Sequence, residues 1–219
     1  PAGVAQTEAE NQQYAQRCTE RSGGADVLAN AGTRDVVRDV DVLRQVLGDQ
    51  KLTYLGYSYG TRIGSAYAEA YPQNVRALVL DGALDPEQTT VQRTVDQSAG
   101  FQQAFDAFAA DCAKEPACPL CQDPARATAA FQAITRPLMD RPASADGGAR
   151  TLSYPDAVTG TIQALYLSDF WPLLTRGLSA LASGDGTILM RLADMYNDRG
   201  QDGHYGNGIE AFIAISCVD

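Results

Sequence analysis

Gly56-Tyr57-Ser58-Tyr59-Gly60 is the one strong chemical motif in the chain. Gly-x-Ser-x-Gly puts a serine on a sharp strand-to-helix turn, with its hydroxyl raised above the sheet edge. Its glycines are needed where backbone runs against backbone. The five-residue pattern occurs by chance, so its context decides its meaning. Leu52-Thr53-Tyr54-Leu55 ahead of it is a short apolar run that reads as a buried strand. Residues 61–71 read as a helix stopped by Pro72, and Val75-Arg76-Ala77-Leu78-Val79-Leu80 reads as a second strand. Ser58 is therefore the candidate nucleophile. The following helix turns the positive end of its dipole toward the reacting oxygen, and the backbone N–H of Tyr59 is one donor of an oxyanion hole.

A hydroxyl at neutral pH needs a base, usually a histidine held by a carboxylate. The chain has one histidine, His204, in Gln201-Asp202-Gly203-His204-Tyr205-Gly206-Asn207-Gly208. The order Ser58 then His204 suits such a site. However, no earlier segment reads as preceding strands, no glycine-rich loop supplies a second oxyanion donor, and no convincing strand leads into His204. It is read as a polar loop residue, with catalytic base as the disfavoured alternative. Asp81 ends the second strand, where a triad acid could stand. Followed by Gly82, it equally suits a bond to its own turn, and that structural reading is preferred.

Cysteines stand at positions 18, 112, 118, 121 and 217. A zinc site would need a fourth ligand beside the three clustered thiols, and there is no second CxxC pair. A redox CxxC would end a strand and open a helix, whereas Pro119 follows Cys118 in a turn-like stretch. Structural disulfides are preferred, and they imply export. Cys112 and Cys118 close a seven-residue loop turned by Pro116, compatible with the roughly 4.4–6.8 Å Cα separation of a disulfide. Cys18, Cys121 and Cys217 are expected to seek longer-range partners, the odd count leaving one free or paired outside the chain. Asp194, Asn197, Asp198 and Asp202 fit no EF-hand spacing, so no metal is assigned.

These groups must be positioned by 219 residues, 45% hydrophobic and 20% charged, which suit one large domain or a domain with an insertion. Disordered, collagen-like and coiled-coil classes are excluded. A net charge of −10 argues against a nucleic-acid partner. No apolar run approaches the roughly 18–20 residues of a transmembrane span. The chain opens on Pro1 with no signal-like region after it, so it reads as a processed or excerpted piece. Thr33 is a plausible N-cap, Val36, Val40, Leu43 and Leu47 fall at helical spacing, and Gly48 stops that helix. Helix, strand, turn, helix, strand is the alternation of a parallel α/β sheet. Beyond Pro86 the pattern turns helical, through Phe101, Phe105 and Phe108, then Phe131, Ile134 and Leu138, then Leu173, Leu174, Leu178 and Leu181. Residues 137–146 read as a loop, and 211–217 as a helix end or a strand returning to the sheet.

Residues 33–35, 39–44, 47–48, 55–61 and 79–86 together closely resemble the secreted α/β-hydrolase serine peptidases of the tripeptidyl aminopeptidase type, found in actinobacteria. The mycobacterial cell-envelope proteases first labelled carboxylesterases resemble it most. The cluster at 112–118, Trp171, Gly184-Asp185, and residues 192–196 and 214–219 extend the likeness from about residue 14 to the end. The resemblance implies part of an α/β-hydrolase core with the nucleophile elbow (1–86), a helical cap over the active site (87–208) and a return to the core (209–219). It also implies that a Gly-rich oxyanion loop precedes this stretch and that the catalytic Asp and His lie beyond it. Only Ser58, with Tyr59 as oxyanion donor, then carries over, and Asp81 and His204 do not match the family's triad positions. The implied activity is an exported serine hydrolase that releases short peptides from the N-terminus of a peptide or protein substrate. It calls for no cofactor and is completed by remaining segments of the same polypeptide, so the chain alone is expected to be inactive. A carboxylesterase or lipase, and a binding module with a decayed triad, are the alternatives. Acidic residues such as Asp169 or Asp185 could receive the substrate ammonium, with nothing singling one out.

Overall fold

Parallel pairing of two short strands around one connecting helix organises the elbow. The computed structural model describes residues 2–219, and Pro1 lies outside them. The chain divides into two units: the first runs to Gln88 and resumes at Asn207–Asp219, and the second is Thr89–Gly206.

In the first unit, α1 (Ala2–Arg21) is built from alanine, glutamine and glutamate, good helix formers, and ends before Gly23 and Gly24, both at positive φ. A short α2 (Ala25–Ala29) leads into α3 (Thr33–Val46). The N-cap of α3 is Gly32, one residue earlier than expected. Thr33 cannot cap its own helix because its hydroxyl and its N–H both bond the Asp219 carboxylate, at 2.6 and 2.7 Å. Strand β1 (Leu52–Tyr57) pairs in parallel with β2 (Val75–Asp81), placing Leu55 beside Val79 and Tyr57 beside Asp81. Helix α4 (Tyr59–Ala70) is the crossover between them. It packs so closely that a Cβ on Gly64 would stand 2.6 Å from Leu80. The expectation of buried strands is met only in part: the face toward α4 is half-buried, with Gly56 alone fully buried, and Leu55, Tyr57 and Val79, on the other face, are 54, 62 and 59% exposed. An apolar run marks a strand, but only a covering layer buries it.

The second unit closes a core of its own. Helix α5 (Thr90–Cys112) is capped by Thr89 and buries Phe105 and Phe108; α6 (Ala127–Thr135) follows. Residues expected to form a loop instead carry β3 (Ala143–Ala145), which pairs antiparallel with β4 (Arg150–Leu152). Three-residue strands are too short for alternation to reveal them. Helix α7 (Tyr154–Leu165) opens with a Ser153–Asp156 capping box, and α8 (Trp171–Ala182) and α9 (Thr187–Tyr196) complete the unit. Leu152, Leu174, Leu178 and Leu189 are fully buried within one apolar cluster. Arg150 links β4 to α9 through two bonds to Asp194, at 2.5 and 2.7 Å. Cys112 and Cys118 are joined as a disulfide across a Cα separation of 5.4 Å. Cys18, Cys121 and Cys217 stand as free thiols, so the expected long-range pairs do not form. The final apolar run is helical, α10 (Gly208–Val218) of the first unit. Among the described residues no helix is long and apolar enough to cross a membrane.

Candidate active site

Ser58 sits between β1 and α4 at φ 50° and ψ −120°, a backbone conformation costing a non-glycine residue about 1–3 kcal/mol. Such strain persists only where surrounding bonds over-determine it, and four features do so. The Ser58 N–H donates to the Asp81 carbonyl at 3.0 Å, tying the turn to the end of β2. Thr61, fully buried, donates to the Ser58 carbonyl from both its N–H (2.9 Å) and its hydroxyl (2.6 Å). The same hydroxyl accepts from Leu84 N–H at 3.0 Å, so one side chain fastens the elbow to the chain beyond β2. The Tyr54 hydroxyl donates to the Gly60 carbonyl at 2.8 Å. Finally, a Cβ on Gly56 would stand 2.5 Å from the Gly60 oxygen, so only glycine lets strand and helix meet this closely. The Ser58 side chain is left free of any capping bond, in an exposed residue.

Tyr59 opens α4, where backbone N–H groups have no intrahelical acceptor, so its N–H is available beside the serine. Its phenol is engaged separately. The Thr33 hydroxyl lies 2.6 Å from it, and it donates to Asp219. Asp219 also accepts from Arg62 Nε at 3.2 Å, and its side chain is only 6% exposed. Burial acts to raise the Asp219 carboxyl, but the donors on Thr33, the Tyr59 hydroxyl and the Arg62 charge outweigh it and hold the group below the ordinary carboxylate range. Burial and the neighbouring Asp219 push the Tyr59 phenol upward.

The remaining sequence candidates fall elsewhere. Asp81 adjoins Ser58 through its carbonyl, while no bond from its carboxylate is present among the described residues. His204 belongs to the second unit. It lies exposed in the turn closed by the Arg199–Tyr205 bridge, its N–H donating to Asp202 at 3.0 Å. Asp185 accepts from both the N–H and the hydroxyl of Thr187, at 2.9 and 2.6 Å, which commits it to the start of α9. The Cys112–Cys118 pair lies in the second unit, away in sequence from the elbow. Thr61, Tyr54 and Asp219 are the residues that motif reading passes over. Thr61 and Asp219 fall within the stretches carrying the family likeness, but nothing in their spacing states what they bond.

Residues 3–183 match the profile of the α/β hydrolase fold. Over 224 residues the chain is 50% identical to Serine protease Hip1 of Mycobacterium tuberculosis, covering 99% of this chain and 43% of that protein. It is 49% identical over 220 residues to Carboxylesterase B of the same species, covering all of this chain and 42% of the relative. Tripeptidyl aminopeptidase of Streptomyces lividans is 40% identical over 92 residues, 41% of this chain and 17% of its own length. The chain thus spans less than half the length of these relatives. With the serine elbow between parallel strands and the profile covering most of the chain, the chain belongs to the α/β-hydrolase family.

Proposed function

We propose that this chain is the elbow-bearing part of an exported serine hydrolase that cleaves short peptides from the N-terminus of its substrates through an acyl-enzyme on Ser58. The observation that carries this reading is the strained backbone of Ser58, held by bonds at both its N–H and its carbonyl with its hydroxyl left uncommitted. A protein maintains such strain where it aims a reacting group. In this scheme Ser58 Oγ attacks the substrate carbonyl carbon while its proton passes to a base. The Tyr59 N–H, at the positive end of α4, donates to the oxyanion that forms. Collapse of the tetrahedral adduct breaks the scissile bond, the leaving group takes the proton, and water then hydrolyses the ester. The base and its acid partner are assigned to the part of the polypeptide that this chain does not span, and Asp81 and His204 stay disfavoured for those roles. The helical second unit is read as a cap limiting access to slender, extended substrates. Export is supported by the Cys112–Cys118 disulfide, a bond that persists in oxidising compartments.

Aminopeptidase action is favoured by the likeness to the Streptomyces enzyme; the likeness to a protein named carboxylesterase favours ester cleavage on the same machinery. The two are separated by assaying the full-length protein on a tripeptidyl anilide with a free amino end, its N-acetylated form, and a short-chain ester. The peptidase reading expects the free anilide to be turned over and the acetylated one to be poor. Turnover of the ester alone would transfer the assignment to an esterase. Ser58→Ala should lower kcat by roughly 10⁴–10⁶ on any of them.

A further inference from the structure

The Asp219 side chain is only 6% exposed, and its partners are not those of an ordinary surface ion pair. Four donors from two helices converge on it: the N–H and hydroxyl of Thr33 on α3, and the Tyr59 phenol and Arg62 guanidinium on α4. Capping α3 would need only Thr33, and neutralising the charge only Arg62. The bond to Tyr59 goes further, because Tyr59 directly follows the serine. We propose, on the reading of Ser58 as nucleophile, that Asp219 is a positioning residue for the oxyanion hole, gripping the Tyr59 phenol so that the Tyr59 N–H stays aimed at the reacting oxygen.

The geometry works through one peptide plane. The Ser58 carbonyl and the Tyr59 N–H belong to the same planar peptide group, so orienting one orients the other. Thr61 holds the oxygen side of that plane, with donors at 2.9 and 2.6 Å. On the nitrogen side no hydrogen bond can be used, since the N–H must remain open for substrate. The Tyr59 side chain is the remaining handle, and it is anchored at its far end by its bond to Asp219, beside the Thr33 hydroxyl. Asp219 follows the last turn of α10, the segment that returns to the first unit after the second is complete. The returning chain thus delivers the anchor for the elbow. A carboxylate so enclosed is costly unless every oxygen is served, which fixes the arrangement tightly.

The test uses the full-length protein with Tyr59→Phe, Asp219→Asn, the double variant and Ser58→Ala, each assayed for kcat, KM and melting temperature. Tyr59→Phe removes only the phenol oxygen and leaves the Thr33 and Arg62 bonds to Asp219, so it decides the matter even if Asp219→Asn does not fold. The proposal expects each single variant to lower kcat by roughly tenfold to a hundredfold, less than the loss of a whole oxyanion donor. KM should change little, and the double variant should be no worse than the poorer single, as coupled residues behave. Lowered melting temperatures with wild-type kcat, or losses that multiply in the double variant, would overturn it. An inactive Ser58→Ala beside fully active Tyr59→Phe removes the clamp and keeps the nucleophile. An active Ser58→Ala removes the nucleophile reading itself and the clamp with it.

Discussion

The two units of this chain bury different kinds of side chain. The second encloses a continuous apolar cluster from Phe105 to Leu192, with Leu152, Leu174, Leu178 and Leu189 at 0% exposure. The first buries few large apolar side chains, Val37 and Tyr67 chief among them, and leaves Leu55, Tyr57, Val79, Val46 and Leu47 more than half exposed. Polar side chains make up much of what it buries: Thr33, Asp41 and Thr61, beside Thr135 and Thr161 in the second unit. Asp41 accepts from Arg44, Gln45, Tyr67 and Asn74 at 2.8–3.0 Å, joining α3, α4 and the turn after α4. Thr61 and Asp219 do the same around the elbow. Apolar contacts are non-directional and supply stability, whereas hydrogen bonds specify angles. The elbow is fixed by such directed bonds, at Ser58, Gly60 and Thr61.

That contrast can be broken most forcefully in the second unit. Leu178→Ala should destabilise by about 2–5 kcal/mol in urea unfolding, with fluorophosphonate labelling of the folded protein unchanged. A loss under about 1 kcal/mol would mean that this core is not closed. Gly56→Ala sharpens the other side. Its Cβ would meet the Gly60 oxygen at 2.5 Å, so a smaller loss of about 1–3 kcal/mol should come with a clear fall in labelling rate. Normal labelling in that variant would contradict the close approach of strand and helix. The smallest effect is electrostatic. The Arg44 guanidinium holds the Asp41 carboxyl well below the ordinary carboxylate range against the opposing effect of burial, and Tyr67, Gln45 and Asn74 assist. A depressed folded value means stability present above the unfolded pKa of about 3.9 and lost as pH falls through the folded one. The stability advantage of the native protein over Asp41→Asn should therefore be constant near neutrality and shrink below about pH 4. An advantage that persists undiminished in acid would contradict the assignment.

Local chemistry was legible and distant bonds were not. Gly56, Ser58 and Gly60 between apolar runs announce the elbow, and two cysteines with a proline between them announce a short bridge. In each case the partners lie close in sequence. Thr33 and Asp219 meet from opposite ends of the chain, and no periodicity encodes that meeting. Thr33 therefore reads as a cap when its hydroxyl serves a remote carboxylate. Residues 211–215 are apolar without a period, which fits a strand as well as the helix they form. Leu55 and Val79 have the composition of buried strand residues, but what covers a sheet face is a tertiary matter.

The central claim, that the strained serine of the elbow is the nucleophile, is tested most directly by where a covalent probe lands. The full-length protein is treated with a fluorophosphonate, digested, and the adduct located by tandem mass spectrometry. The account predicts a single stoichiometric adduct on Ser58, blocked by prior occupation with substrate and absent from Ser58→Ala. An adduct on another serine, or an active enzyme that takes up no label at Ser58, would contradict it.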